Sequence, residues 1–365
     1  MRGGVGDDPA QGQERRGPRG RIQGSIVKRV LPPALRPGDT VGVLSPSSDE
    51  AARYPRRRLR AAGFLRDHGY QVRFAPSACS TGDYTAGTPE ERAEDLHHFF
   101  ADPSVTAIVT AIGGNNSNQL LDLLDFDLIV AHPKLLVGYS DVTALLTAIW
   151  VRTGLGVVMG PQLLPQFGEY GGCLDYTMRA WHRTLASPAP AELIDASPAW
   201  TDEFLPWDTA DDRPRATHAN AGPWALRPGR ATGPLYAANL TTLLRLAGTP
   251  YWPDLTDHLL LLESSLETTP SQLDAELTQL RQTGILNKIS AIGFGRFGHA
   301  RRLNRPAVLE PVLSRALTGF GGPVVCGLDI GHTDPMFSVP YGLTADITAG
   351  PGRPVTVTFV DGAVR

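Results

Sequence analysis

The chain has 365 residues, 34 basic against 37 acidic side chains and a formal charge of −3, so no broad field exists to hold nucleic acid or an anionic membrane, and small-molecule partners are expected. Cys79, Cys173 and Cys326 form no CxxC pair and no Cys/His zinc spacing, which argues against structural disulfides and against a metal. The longest apolar runs, VVMGPQLLP and HLLLLE, fall well short of the roughly 20 residues a membrane span needs.

Residues 1–30 are rich in Gly, Arg, Gln and Pro and nearly free of large apolar side chains, so burial cannot offset the entropy of ordering them, and a disordered tail is expected. From Pro37 a βα alternation begins: TVGVLSPSS as a buried strand, YPRRRLRAAGFLRDHGY as a helix, QVRFAP as a second strand. That alternation is the signature of a parallel sheet. Thr88-Pro89-Glu90-Glu91 supplies an N-cap, a proline at the first helical position and a glutamate three residues on, opening a helix to about Phe100. SVTAIVTAIGG then reads as a buried strand ending in paired glycines, and KLLVG as another, followed by a helix with Leu145 and Ile149 at helical spacing.

Residues 188–230 lose periodicity and gain proline and tryptophan, as in an inter-domain connection that holds a long loop. Beyond it HLLLLE, a helix capped by Thr269-Pro270-Ser271-Gln272, KISAIGFGRF and GPVVCGLDI form a second α/β unit. The expected organisation is a tail over 1–30, a nucleophile domain over 34–187, a linker with a substrate loop over 188–230, and a C-terminal domain over 231–365.

Ser140 stands where the strand KLLVG passes into a helix, so its hydroxyl can face outward beside the free amide of Asp141, as a nucleophile's would; an ordinary N-cap serine fits the same spot. Gly113 and Gly114 end the preceding strand, where a bare backbone lets an amide approach a substrate or merely makes a tight turn. GGNNSN is neither a Walker pattern nor GxGxxG. Of nine histidines, His332 follows the apolar strand VVCGLDI in the loop GHTDPMFSVPYG, at the carboxyl end of a strand where α/β sites form. Glu263 ends HLLLLE, partly desolvated and in need of a partner, either an imidazole N–H or an arginine. The order Ser, Glu, His is one known triad order, although the G-x-S-x-G elbow is missing.

LRPGDTVGVLSPSS, AIGGNNSNQLLDLLDFDLI, HPKLLVGYSDVTALL, GPQLLPQFGE, ATGPLYAANLTTL, AGTPYWP, LLLLESS and DIGHTDPMFSVPYG together resemble the murein LD-carboxypeptidase-like serine peptidases, in the branch of the microcin C self-immunity peptidases. The resemblance spans about residues 34–350. It implies an N-terminal doubly wound, mostly parallel sheet domain and a C-terminal α/β domain with a smaller sheet. It implies a triad of Ser140, Glu263 and His332, an oxyanion hole of the Gly114 and Asp141 amides, and substrate contacts from Gly113, Asn115, Trp207 and Asn239. Trp207, in FLPWDTADD, falls where that branch stacks a tryptophan on a nucleobase. Two departures stand out: GGNL reads AANL here, and Glu267 replaces a lysine of the microcin enzymes.

These readings converge on a cytoplasmic serine peptidase, homodimeric, with no metal or organic cofactor, that cleaves an amide at a C-terminal acidic residue of a peptidyl-aminoacyl nucleotide of microcin C type and so gives toxin immunity. The rivals are a murein-peptide LD-carboxypeptidase of cell-wall recycling and a non-catalytic protein that sequesters a toxin in the same cleft.

Overall fold

The computed structural model describes residues 29–190, 194–299, 302–350 and 354–365. The first sheet holds strands β1 (Thr40–Leu44), β2 (Gln71–Phe74), β3 (Val105–Thr110), β4 (Leu135–Gly138) and β5 (Val158–Met159), all parallel, in the order β5-β4-β3-β1-β2. Order reverses between β1 and β3, the switch point at which doubly wound sheets open a crevice beyond their carboxyl ends. Helices α1 (Glu50–Arg53), α2 (Pro55–Asp67), α3 (Pro89–Ala101), α4 (Phe126–Ala131), α5 (Thr143–Thr153) and α6 (Asp175–Leu185) accompany these strands. The capping box expected at Thr88 is present, with both reciprocal bonds to Glu91 formed.

A short ribbon, β6 (Ala199–Trp200) with β7 (His218–Ala219), bridges to a seven-stranded sheet. That sheet joins β8 (Trp224–Arg227), β9 (Gly229–Asn239), β10 (Leu259–Glu263), β11 (Ala291–Gly295), β12 (Val324–Leu328), β14 (Thr344–Ala349) and β15 (Thr356–Phe359). Its parallel core, β9 to β12, has four strands against five in the first sheet; antiparallel β8, β14 and β15 extend its edges. LLLLE is buried at every position because β9 and β11 flank it in the middle of the sheet. The outer strand β14 alternates buried and half-buried residues, as a sheet with one wet face requires. Helices α7 (Leu240–Arg245), α8 (Pro270–Gln282) and α9 (Pro306–Ala316) follow β9, β10 and β11, and Thr269 caps α8 with a second capping box.

Three boundaries differ from the sequence reading. Residues 1–28 of the expected tail lie outside the described residues, but Arg29 and Val30 belong to the body. The Val30 amide donates to the Gly154 carbonyl at 2.9 Å, and Arg29 donates to the Gly362 carbonyl at 3.0 Å. The linker over 188–230 contains the β6–β7 ribbon and β8, elements too short to show periodicity. Strand β13 (Val339–Pro340), from the C-terminal part of the chain, pairs antiparallel with β5 and completes the first sheet.

Candidate active site

The carboxyl ends of both parallel cores face one another across a cavity of about 300 Å³. From the first lobe come the turn after β3, with Gly113 and Gly114, and the turn after β4, with Tyr139 and Ser140; His332, Asp334 and Leu266 enter from the second. The segment between β6 and β7 adds Phe204, Leu205, Trp207 and Arg215.

Ser140 opens a one-turn 3₁₀ segment, Ser140–Val142, that leads into α5. Its φ is +63°, a left-handed conformation that few non-glycine residues adopt and that aims the hydroxyl out of the strand-to-helix turn. Gly113 makes this approach possible: a Cβ there would stand 3.1 Å from the Ser140 Cβ and 3.3 Å from the Asp141 amide nitrogen.

His332 Nε2 lies 3.0 Å from Ser140 Oγ, and its Nδ1 lies 2.5 Å from Glu263 Oε2. The carboxylate accepts from Nδ1–H, which leaves the Nε2 lone pair facing the serine hydroxyl. Only 1% of the Glu263 side chain is exposed, against 22% for His332, so the carboxylate lies behind the ring and the ring faces the cavity. Burial opposes charging the imidazole, but the charge and hydrogen bond of Glu263 outweigh it and hold His332 above its ordinary value of 6.5. Gly331, at φ +91°, lets the chain pass over Glu263, because a Cβ there would come within 2.5 Å of the glutamate's own Cβ. Tyr139 meets the imidazole edge-on at 5.1 Å, and burial, reinforced by Asp334, raises its phenol far above the ordinary range.

The other expected site residues divide. Gly114 lines the cavity beside Gly113, and Asp141 is buried, its carboxylate accepting the Ser117 amide at 2.8 Å. Trp207 lines the cavity, with the Arg57 guanidinium 4.5 Å from its ring centroid and Tyr54 edge-on at 5.3 Å. Asn239 and Asn115, expected to touch substrate, are not among the cavity's lining residues. Asn239 is buried as the N-cap of α7 and donates from Nδ2 to Glu263 Oε1 at 2.9 Å, so it holds the carboxylate that holds the imidazole. Asn115 gives its amide to Ser47 Oγ at 3.1 Å, and its carbonyl accepts from Arg245 at 3.2 Å.

Sequence reasoning missed the charged floor of the cavity. Arg215 donates to Asp334 at 2.7 Å and lies 2.7 Å from Glu169; Arg57 donates to Asp211 at 2.7 Å and to the Leu164 carbonyl at 2.7 Å. These pairs dock the segment between β6 and β7 onto α2 and the first lobe. Nothing in the spacing of RRR in α2, or of RPRAT in the loop, marks which arginine turns inward. Burial also raises Glu50, another lining carboxyl, above its ordinary 4.5.

An imidazole that links an outward-aimed serine hydroxyl to a buried carboxylate is the working arrangement of serine-type hydrolases, and that is the class this fold and site define. Residues 41–160 match the N-terminal domain model of the LD-carboxypeptidases of peptidase family S66, and residues 232–347 match the C-terminal domain model. The microcin C7 self-immunity protein MccF of Escherichia coli is 32% identical over 320 residues, 86% of this chain and 92% of its own length. A probable murein peptide carboxypeptidase of Bacillus subtilis is 33% identical over 327 residues, 89% of this chain and 93% of its own. The structure of MccF in complex with glutamyl sulfamoyl guanosine superposes with a TM-score of 0.84 at 30% identity, covering 92% of this chain and 99% of that one. The chain therefore belongs to the S66 LD-carboxypeptidase family and is a serine-type carboxypeptidase.

Proposed function

We propose that Ser140 is the nucleophile, His332 the general base and acid, and Glu263 the carboxylate that orients it. His332 Nε2 takes the Ser140 proton as Oγ attacks the scissile carbonyl, and the amides of Gly114 and Asp141 receive the oxyanion. The imidazolium then protonates the leaving amine. His332 activates a water that hydrolyses the acyl-enzyme and returns Ser140 to its resting state. The observation that carries this reading is the unbroken series Ser140 Oγ, His332 Nε2, His332 Nδ1 and Glu263 Oε2 opening on one cavity. In keeping with this, residues 34–187 supply the nucleophile, 188–230 the substrate loop, and 231–365 the base and carboxylate.

The substrate proposed is a peptidyl-aminoacyl nucleotide of microcin C type, cleaved at an acidic residue, with toxin immunity as the result, in a cytoplasmic homodimer. Support comes from Trp207, an aromatic face in the cavity, and from the glutamyl nucleoside held by MccF. The alternative is a murein peptide: the cavity is lined by four carboxyls, Glu50, Glu169, Glu203 and Asp334, of which Glu169 and Asp334 pair with Arg215 and Glu203 with Arg213, leaving Glu50 as the carboxyl that could meet an amine-bearing peptide. Incubating the protein with peptidyl-nucleotides and an L-D tetrapeptide, with products read by mass spectrometry, separates the two. Cleavage of the tetrapeptide alone gives the murein reading. Cleavage of neither, with no acyl label on Ser140, leaves the sequestering protein.

A further inference from the structure

Away from the cavity, three side chains from distant segments converge on one point. Asp202 follows β6, His218 opens β7 and His299 lies in the loop after β11. One ligand atom from each lies within 4.8 Å of the other two. Asp202 Oδ1 is 3.1 Å from His299 Nδ1 and 3.5 Å from His218 Nε2. We propose that these three residues form a site for a divalent transition metal of zinc type, and that the ion clamps the base of the segment carrying Trp207.

The three ligand atoms lie close enough together to share one ion. Zinc bonds of about 2.0–2.2 Å to imidazole nitrogen and carboxylate oxygen put tetrahedral ligands about 3.3–3.5 Å apart. The Asp202–His218 separation of 3.5 Å matches that edge, and the Asp202–His299 separation of 3.1 Å, a hydrogen bond without the ion, would open by a few tenths of an ångström to admit it. Two imidazoles and one carboxylate select zinc, nickel or copper rather than calcium or magnesium, which prefer all-oxygen shells. The donors are held in place from behind: the His299 amide donates to Asp202 Oδ2 at 2.5 Å, while His299 Nδ1 lies 3.1 Å from Oδ1 and 3.2 Å from Oδ2, and Oδ1 is the oxygen that also approaches His218. Trp200 stacks on His299 at 4.7 Å and 7°, and meets His218 at 5.1 Å, so one indole orients both imidazoles. About 45% of each imidazole side chain is exposed, 45% for His218 and 44% for His299, which leaves an entry path and a fourth position for water.

The place of the site gives it a consequence. Asp202 and His218 bracket residues 203–217, which supply Phe204, Leu205, Trp207 and Arg215 to the cavity. Gly298, next to His299, packs against the cavity residue Leu266, since a Cβ there would lie 3.0 Å from Leu266 and 3.2 Å from Asp202 Oδ2. An ion would therefore tie both ends of the substrate segment to the loop after β11. None of the three ligands touches Ser140, so the site stands apart from the peptidase reading.

The test is calorimetric titration of Zn²⁺ into the chelator-treated, untagged full chain, paired with amide hydrogen exchange. One ion per chain is expected, with affinity at least 10-fold weaker in His218→Ala and in His299→Ala and unchanged in His132→Ala, whose exposed histidine lies elsewhere. Bound Zn²⁺ should slow exchange over residues 203–217. His218→Ala is the deciding variant, because the His299 ring also braces the loop by stacking on Trp200; circular dichroism establishes that each variant is folded. Absence of Zn²⁺ binding by the wild type, or wild-type affinity in a folded His218→Ala, overturns the site. Unchanged exchange over 203–217 with Zn²⁺ bound overturns the clamp.

Discussion

Ser140 holds a backbone conformation that costs a serine about 1 kcal/mol or more, and the gain is a hydroxyl within 3.0 Å of an imidazole. Ser140→Ala should keep the fold and lower kcat/KM by a factor of about 10³ or more, as loss of a triad nucleophile does; activity within a few-fold of wild type would remove Ser140 from the reaction. Ser140→Gly, which accepts a φ of +63° without strain, should be equally inactive yet melt slightly higher than Ser140→Ala. The imidazole sets the pH dependence. As the proposed base, His332 must be neutral to accept the proton, and Glu263 holds it above 6.5, so kcat/KM should rise with pH along a limb centred above 6.5. The same shift means the folded state favours the charged ring: that stabilisation is complete below the unfolded value and lost as pH rises through the folded one. Glu263→Gln removes the charge that raises His332, so the acid limb should move to lower pH while kcat falls. A limb that does not move would assign the titration to another group.

At the scale of elements, the regular parts were legible because each carried its own local signal. Both capping boxes, at Thr88 and Thr269, form as their sequences predict, and the uninterrupted run LLLLE is the fully buried central strand it reads as. The site was legible at its three hydrogen-bonded members, each at the carboxyl end of a strand. Asn239 reads in the sequence as a substrate contact; its type fits that and helix capping equally, and the pairing of β9 with β10, which sets Asn239 opposite Glu263, turns its amide toward the carboxylate. Ser140's left-handed backbone and the inward arginines had no local signal at all. The segment between β6 and β7 read as part of a long loop, and Arg57–Asp211 and Arg215–Asp334 dock it. That docking sharpens what Trp207 should do. With Arg57 over the ring at 4.5 Å, the indole is held in place before substrate arrives. Stacking on a base contributes about 1–3 kcal/mol, so Trp207→Ala should raise KM for a peptidyl-nucleotide roughly 5- to 150-fold. An L-D tetrapeptide, with no base to stack, should be cleaved as before. Steady-state kinetics on both substrates checks this, and a neutral effect on the nucleotide removes Trp207 from base recognition.

Across the whole molecule the two lobes are interlocked rather than merely adjacent. Strand β13 leaves the C-terminal part of the chain to pair with β5, and the Tyr341 amide donates to the Val157 carbonyl at 2.9 Å. One residue later the Gly342 amide donates to the Leu235 carbonyl of β9 at 2.8 Å, so a single short segment hydrogen-bonds to both sheets. The first and last described segments meet as well, with the Ala34 amide on the Arg365 carbonyl at 3.0 Å and the Arg365 amide on the Pro32 carbonyl at 3.0 Å. Helix α5 adds a buried contact, Thr147 Oγ1 to the Tyr236 hydroxyl at 2.7 Å, and the Asn239 amide donates to Thr143 Oγ1 at 3.0 Å. With Ser140 on one lobe and His332 on the other, this interlock keeps the two side chains in register. It also predicts that neither lobe is stable alone. Scanning calorimetry of the intact chain should give one transition, with calorimetric and van't Hoff enthalpies equal. A fragment ending at residue 187 exposes the edge of β5 and loses the Gln166–Asp334 bond of 3.1 Å, so it should lack near-ultraviolet circular dichroism and aggregate. Two resolved transitions, or a soluble fragment with native near-ultraviolet signal, would show instead that the lobes fold independently and that the register of the site is set only when they dock.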